Sequence, residues 1–327
     1  MKVVVTGGSG FIGSHVLDKL RLSGRGVRNF DLVPSPHHEP DEIDTVIGDL
    51  GDPAAVRAAL DGCDTVIHLA AVADVDQVVK DPAHADRVNV RGTQTLLDAA
   101  REAKIARFVY ASTIWVYGDA TGPESIDEEA ALAAPKHFYT ATKIAGELYT
   151  ISYGELYGLE HTILRFGIPY GPRSRPTAVV AAFTAKALAG QPLTIAGDGT
   201  QSRRFVYVED LAEGVAASLV PAAANRTYNL VGHENVSVRS IARTVREVVG
   251  DVPIVHVDGR AGDLRGANIS GDRALAELGW EPTTQFGEGV RRYVEWLTET
   301  AATPAAAIAS STDGSAAAVL RQESAEL

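Results

Sequence analysis

Short apolar, β-branched runs alternate with longer stretches of helical period through the first half of the chain. Residues 2–6 (Lys-Val-Val-Val-Thr) are apolar at every interior position and stop at two glycines. That is the pattern of a strand buried on both faces. Similar runs recur at 26–30, 45–47, 65–69, 107–111 and 161–166. Helical patterns lie between most of them, clearest at 11–23, 83–103 and 137–157, and another helix begins near Pro53. Strands and helices in this alternation predict an α/β fold, a doubly wound parallel sheet covered on both faces.

Past Phe166 the rhythm changes. Loops rich in Gly, Pro and Arg (171–176, 197–204, 259–266) alternate with helical patterns at 177–189, 208–219 and 238–249. We therefore divide the chain into 1–166, mainly the sheet domain, and 167–299, mainly a smaller C-terminal substrate lobe interleaved with the sheet. Residues 300–327 are Ala, Ser and Thr with scattered charge and no apolar face, which predicts a flexible tail.

A net charge of −12 argues against non-specific binding to nucleic acid or to an anionic membrane. The single cysteine, Cys63, excludes an internal disulfide and fits a reducing compartment. No apolar run reaches signal-peptide or membrane-spanning length, so the expectation is a cytoplasmic protein. No His-Glu-x-x-His or comparable spacing exists, and no metal site is expected. His37 and His38 read as exposed loop residues and His68 as a strand-end residue.

Thr6-Gly7-Gly8-Ser9-Gly10-Phe11-Ile12-Gly13 follows the first strand and opens the first helix. Backbone N–H groups at such a helix start attract a pyrophosphate, and glycine lets it come close. Asp31 lies eighteen residues past Gly13, at the end of the next strand. A carboxylate there suits the hydroxyls of an adenosine ribose and repels a 2′-phosphate, which selects NAD over NADP. Asp49 and Leu50, after the third strand, suit the adenine edge; Asp49 reads equally as the cap of the helix near Pro53.

Tyr139-Thr140-Ala141-Thr142-Lys143 sets a tyrosine and a lysine at i and i+4, on one face of a helix. An ammonium beside a phenol favours the phenolate, turning a poor base into a usable one. A strand ending in Ala111-Ser112-Thr113 precedes the pair.

The glycine motif, His68-Leu69-Ala70-Ala71, Ser112-Thr113 with Val116-Tyr117-Gly118, and Tyr139-x-x-x-Lys143 stand in the order seen in the extended short-chain dehydrogenase/reductase family. So do Tyr170-Gly171-Pro172-Arg173, 197–203 (Gly-Asp-Gly-Thr-Gln-Ser-Arg), 205–210 (Phe-Val-Tyr-Val-Glu-Asp) and Gly279-Trp280-Glu281-Pro282. The chain resembles the nucleotide-sugar epimerase/dehydratase branch of that family over residues 1–297. The resemblance implies a Rossmann fold and NAD held by Gly7, Gly10, Phe11, Ile12, Gly13, Asp31, Asp49, Leu50, Leu69, Ala70, Ala71, Ser112, Tyr139, Lys143 and Pro169. It implies Tyr139 as acid/base, Lys143 as its tuning cation and Thr113 as the hydroxyl that hydrogen-bonds the reacting sugar oxygen. Arg203 and Arg260 fall where the family binds the substrate diphosphate and its ribose; read alone, Arg260 could equally be a surface ion pair, and Arg203 less so. Homodimers of this family commonly pack the helices corresponding to 83–103 and 137–157.

Departures from the pattern narrow the reaction. Ile114 and Trp115 stand where dehydratases carry an acid pair, and neither can move a proton. Ile168 replaces a frequent asparagine and Arg204 a frequent aspartate. Trp115 either faces the sugar or fills the core under the Val116–Tyr117 turn. The expectation is NAD-dependent epimerisation of a nucleotide-diphosphate sugar at C4 through a 4-keto intermediate. The alternatives are a sugar or alcohol dehydrogenase or ketoreductase, a nucleotide-sugar decarboxylase, and a non-catalytic NAD-binding regulator.

Overall fold

The computed structural model describes residues 1–118, 125–258 and 266–302. In chain order the first half runs β1 (Lys2–Thr6), α1 (Phe11–Leu22), β2 (Gly26–Asp31), β3 (Asp44–Ile47), α2 (Pro53–Leu60), β4 (Thr65–His68) and α3 (Val75–Lys80). It continues through α4 (Pro82–Asp86), α5 (Gly92–Glu102), β5 (Arg107–Thr113), α6 (Phe138–Tyr157) and β6 (His161–Phe166). The second half holds β7 (Ile168–Tyr170), α7 (Val179–Leu188), β8 (Leu193–Ala196), β9 (Ser202–Tyr207), α8 (Val208–Ala217) and β10 (Arg226–Leu230). Last come β11 (Asn235–Ser237), α9 (Val238–Val249), β12 (Ile254–Val257), α10 (Asp272–Leu278) and α11 (Phe286–Ala302).

Seven parallel strands form the main sheet in the order β10-β6-β5-β4-β1-β2-β3. Val3, Val4 and Val5 are wholly buried, and they serve opposite faces because successive side chains of a strand alternate. Val3 and Val5 pack with Val16, Leu17 and Leu20 of α1 and with Leu211 and Val215 of α8. Val4 packs with Val56 and Leu60 of α2 and with Leu96 and Leu97 of α5. From β1 the sheet grows toward β2 on one side and toward β4 on the other. That reversal opens a crevice at the carboxyl ends of the strands.

The second half returns to the main sheet with β10, which pairs with β6 from Arg226↔Thr162 to Leu230↔Phe166. Its remaining strands form a three-stranded sheet (β11-β9-β7) and a two-stranded one (β12-β8). A separate core of Phe183, Leu193, Ile195, Phe205, Ile241 and Val290 holds them to α7, α9 and α11.

Strands β7–β12 lie where the sequence reading named only loops and helices, and residues 202–204, read as loop, open β9; two further elements differ. The helix expected over 83–103 is interrupted by a π-helical turn, Arg87–Arg91, between α4 and α5. Asn89 lies within it, buried, and pairs with both backbone groups of Val72: Val72 N donates to Oδ1 at 2.8 Å and Nδ2 donates to Val72 O at 3.0 Å. A widened turn of this kind turns one side chain out of the regular helical repeat toward such a partner. The second difference is at the end of the chain, where α11 runs to Ala302, past the expected start of the tail at 300; the rest of that tail lies outside the described residues.

Candidate active site

A cleft of about 750 Å³ opens at the carboxyl ends of β1, β2, β4 and β5. Gly7, Gly10, Phe11, Ile12, Gly13, Asp31, Asp49, Leu50, Leu69, Ala70 and Ala71 line one end of it, and Ser112, Thr113, Tyr139 and Pro169 also face it. Lys143 sits behind that wall, 4% exposed. Arg203 lines a different, smaller cavity, and Arg260 lies outside the described residues.

The glycines are there for close approach. Gly7 has φ +72°, and a Cβ on it would stand 2.8 Å from the Ala70 backbone; one on Gly13 would stand 2.0 Å from Gly7 O. Helix α1 has Gly10 as its N-cap, with neither a capping side chain nor an acidic residue in its first turn. Its first N–H groups, with the positive end of the helix dipole, are left to the cleft. Asp31 holds the loop in place: Oδ2 accepts from Ser9 N at 3.0 Å and Oδ1 from Leu32 N at 2.7 Å. Each carboxylate oxygen keeps acceptor capacity for a further donor. Asp49 does not cap α2. Asp52 does, accepting from Ala54 N and Ala55 N, while Asp49 faces the cleft and accepts from Gly51 N at 2.7 Å.

At the other end, Thr113 closes β5 and its Oγ1 accepts from Trp115 N at 3.2 Å. Tyr139, in the first turn of α6, is half-buried on the cleft wall. Lys143 Nζ donates to Ala111 O at 2.9 Å and lies 6.0 Å from the centroid of the Tyr139 ring. Burial dominates both groups. It pushes the Tyr139 phenol up to about 12, opposed by Arg175, and the Lys143 ammonium down to about 8, opposed by Glu147. The sequence reading has the lysine lowering the tyrosine; in the structure burial is the largest influence on the phenol and the opposing charge is Arg175. His68 is the buried end of β4, between Thr6 Oγ1 (2.7 Å) and Thr93 Oγ1 (2.9 Å), and burial lowers it to about 3. His38, unlike its exposed neighbour His37, has a side chain 2% exposed, with Nε2 2.9 Å from Asp18 Oδ1.

The cleft thus has an uncapped helix start at one end and Thr113 and Tyr139, backed by Lys143, at the other. The chain belongs to the NAD dependent epimerase/dehydratase family. The family model matches residues 3–231. The UDP-glucose 4-epimerase of Mycolicibacterium smegmatis is 34% identical, over 91% of this chain and 98% of that one. The structure of the Thermotoga maritima UDP-glucose 4-epimerase with UDP-glucose superposes with a TM-score of 0.86, at 30% identity over 92% of this chain and all of that one. The Thermus thermophilus UDP-glucose 4-epimerase in complex with NAD gives 0.83, at 33% identity over 91% and 99%. dTDP-glucose 4,6-dehydratases are similar too, that of Streptomyces niveus at 30% identity over 90% and 92%.

NAD is the family's cofactor, and the residues present fit it. The glycine cradle and uncapped α1 would take its pyrophosphate, and Asp31 its adenosine ribose. The segment after Asp31 is Leu32-Val33-Pro34-Ser35-Pro36, with no cation for a 2′-phosphate.

Several residues of the site escaped the sequence reading. Glu147 and Arg165 form an ion pair at 2.8 Å, with side chains 1% and 7% exposed. Ser112 Oγ donates to Glu147 Oε1 at 2.5 Å, and Arg165 Nη1 donates to Tyr117 Oη at 2.8 Å. Tyr117 Oη in turn donates to Asn229 Oδ1 at 2.8 Å. The signal was present: an arginine inside the apolar run 161–166 cannot be buried without a carboxylate partner. Arg175 lines the cleft and pairs with Asp74 at 2.7 Å. No helix among the described residues is long and apolar enough to cross a membrane.

Proposed function

We propose that this protein epimerises a nucleoside-diphosphate sugar at C4 through a transient 4-keto sugar. The observation that carries the reading is the wall formed by Thr113 and Tyr139, with Lys143 behind it, followed at 114 and 115 by two residues that cannot transfer a proton. NAD, when bound, supplies a hydride acceptor and donor. Tyr139 takes the proton from the reacting hydroxyl and later returns one to the same oxygen. Thr113 Oγ1 hydrogen-bonds that oxygen and fixes its distance from Tyr139. Lys143, anchored on Ala111 O with its ammonium 6.0 Å from the centroid of the Tyr139 ring, stands where a positive charge favours the phenolate. Dehydration would need an acid and a base at the neighbouring carbon, and Ile114 and Trp115 offer neither.

Substrate diphosphate would be met by Arg203 and Arg260. The same reading includes a homodimer through α5 and α6, because Leu148, Tyr149, Leu156 and Tyr157 of α6 are exposed. It places the enzyme in the cytoplasm, in keeping with one free, buried cysteine.

Incubating the purified protein with UDP- and TDP-hexoses, without added cofactor, and reading anomeric protons by NMR tests the proposal. Interconversion of C4 epimers is expected, with NAD in the denatured supernatant. A dehydrated product, or a need for stoichiometric NAD, would replace it.

A further inference from the structure

Trp115 stands where two cavities meet. On one side is the cleft that holds Thr113 and Tyr139. On the other is a cavity of about 40 Å³ whose lining includes Lys136, His137, Arg203 and Arg204. Among the described residues Trp115 alone lines both. Its ring is held edge-on to Tyr139, centroids 6.1 Å apart at 88°, and lies 5.9 Å from His137.

The indole Nε1 is buried and has no hydrogen-bond partner among the described residues. Leaving a buried donor unpaired costs about 1–3 kcal/mol, and a buried tryptophan usually finds an acceptor for its N–H. Trp280 does so here, donating to Asp210 O at 2.9 Å. Trp115 is therefore an exception, in the wall of the site. The cationic cavity, at about 40 Å³, has room for little more than a water or two. A substrate with its carbinol at Tyr139 and its diphosphate at Arg203 has to cross the indole.

We propose that Trp115 is a specificity-determining residue: a wall that turns when a nucleoside-diphosphate sugar enters, joins the cationic cavity to the cleft, and gives its N–H to an oxygen of the sugar diphosphate. This rests on the nucleotide-sugar reading above. A free sugar or simple alcohol has no anionic group to draw it past the indole, so it leaves the wall shut. Selection for the diphosphate is thus built in two residues from the threonine that meets the reacting hydroxyl.

The test uses the NAD-loaded protein and its own fluorescence. The chain has three tryptophans; Trp280 is buried on its carbonyl, and Trp296 is stacked on Tyr293 at 5.9 Å. UDP-glucose is expected to shift the emission and glucose is not, and W115F is expected to lose the shift. W115F keeps the aromatic bulk and removes the N–H. It should bind UDP-glucose roughly ten-fold more weakly by calorimetry, as loss of one well-made hydrogen bond implies, and raise KM more than it lowers kcat. Its melting temperature and retained NAD report whether it has folded. Binding of UDP-glucose to the wild type with unchanged Trp115 emission, or equal affinity in folded W115F, overturns the proposal alone. No binding of UDP- or TDP-glucose to the wild type overturns the substrate reading with it.

Discussion

Lys143 reaches past Tyr139 rather than to it: Nζ is hydrogen-bonded to Ala111 O at 2.9 Å and lies 6.0 Å from the Tyr139 ring centroid. The two side chains share a helix face but do not touch through their polar ends. Burial pushes the two groups in opposite directions, to about 12 and about 8, and the cation that opposes it at the phenol is Arg175.

Removing only the phenolic oxygen should therefore stop the chemistry without dismantling the cleft. Y139F is expected to lose at least about a hundred-fold in turnover, the low end for loss of a general acid/base, while retaining NAD by mass spectrometry. K143A should weaken both turnover and NAD retention. Near-normal turnover in Y139F would remove the tyrosine from the mechanism.

Asp31 has both oxygens engaged by the backbone of Ser9 and Leu32, which fixes the carboxylate at the cleft edge. A 2′-phosphate would meet this negative charge with no nearby cation in 32–36. Calorimetric titration of the cofactor-free protein is expected to show NADP binding at least about ten-fold more weakly than NAD, a repulsion of 1.4 kcal/mol. Equal affinities would contradict the role given to Asp31.

The sheet was legible because its strands are apolar on both faces and its helices on one. β1 and β6 end where their apolar runs end, and the glycine motif lies between a strand and a helix as its chemistry requires. What was hidden is non-local. Asn89 breaks a regular helical pattern because it pairs with Val72, a partner no local pattern names. Trp115 had two readings of equal weight, and its burial against His137 and Tyr139 could be known only once α6 was placed across β5. On paper Asp49 could cap the helix at Pro53; the backbone geometry gives that cap to Asp52, which the sequence reading did not name.

The Glu147–Arg165 pair ties α6 to β6 beneath the site. Breaking a buried pair strands a charge and costs about 3–5 kcal/mol. E147Q should lower stability by that order in urea titrations, whereas S112A, which removes one donor and keeps the ion pair, should cost about 1 kcal/mol. A loss below 1 kcal/mol in E147Q would mean that water reaches Arg165.

His15 links α1 to the loop after β7, its Nε2 3.0 Å from Pro172 O, and burial lowers it to about 4 from an ordinary 6.5. The unfolded chain binds a proton here that the folded one refuses, so stability rises with pH between those values. The contribution is complete above pH 6.5 and is lost as pH falls toward 4, amounting to about 3 kcal/mol. H15Q can still donate to the carbonyl and cannot titrate. Between pH 7 and pH 4.5 the wild type should lose roughly 2–3 kcal/mol more than H15Q; parallel losses would show that His15 titrates normally.

Isotopes separate the candidate reactions most sharply. In a C4 epimerisation run through a 4-keto sugar, the hydrogen lifted from C4 returns to C4 without leaving the cleft. Tyr139 exchanges its proton with solvent, but that proton goes only to oxygen and washes out on isolation. Turnover in heavy water should therefore leave every carbon-bound position of the product unlabelled, and a C4-deuterated substrate should keep its label. A dehydratase has to exchange C5, and a route through an enediolate has to exchange the carbon it inverts. Ile114 and Trp115 stand where the groups for such exchange would be, and neither side chain carries a basic atom. Incubating UDP- and TDP-hexoses in heavy water and reading the sugar protons by NMR gives the answer in one spectrum. Deuterium at C3 or C5 would mean that a base other than Tyr139 acts on carbon, and the assignment of the reaction to C4 would fall with it.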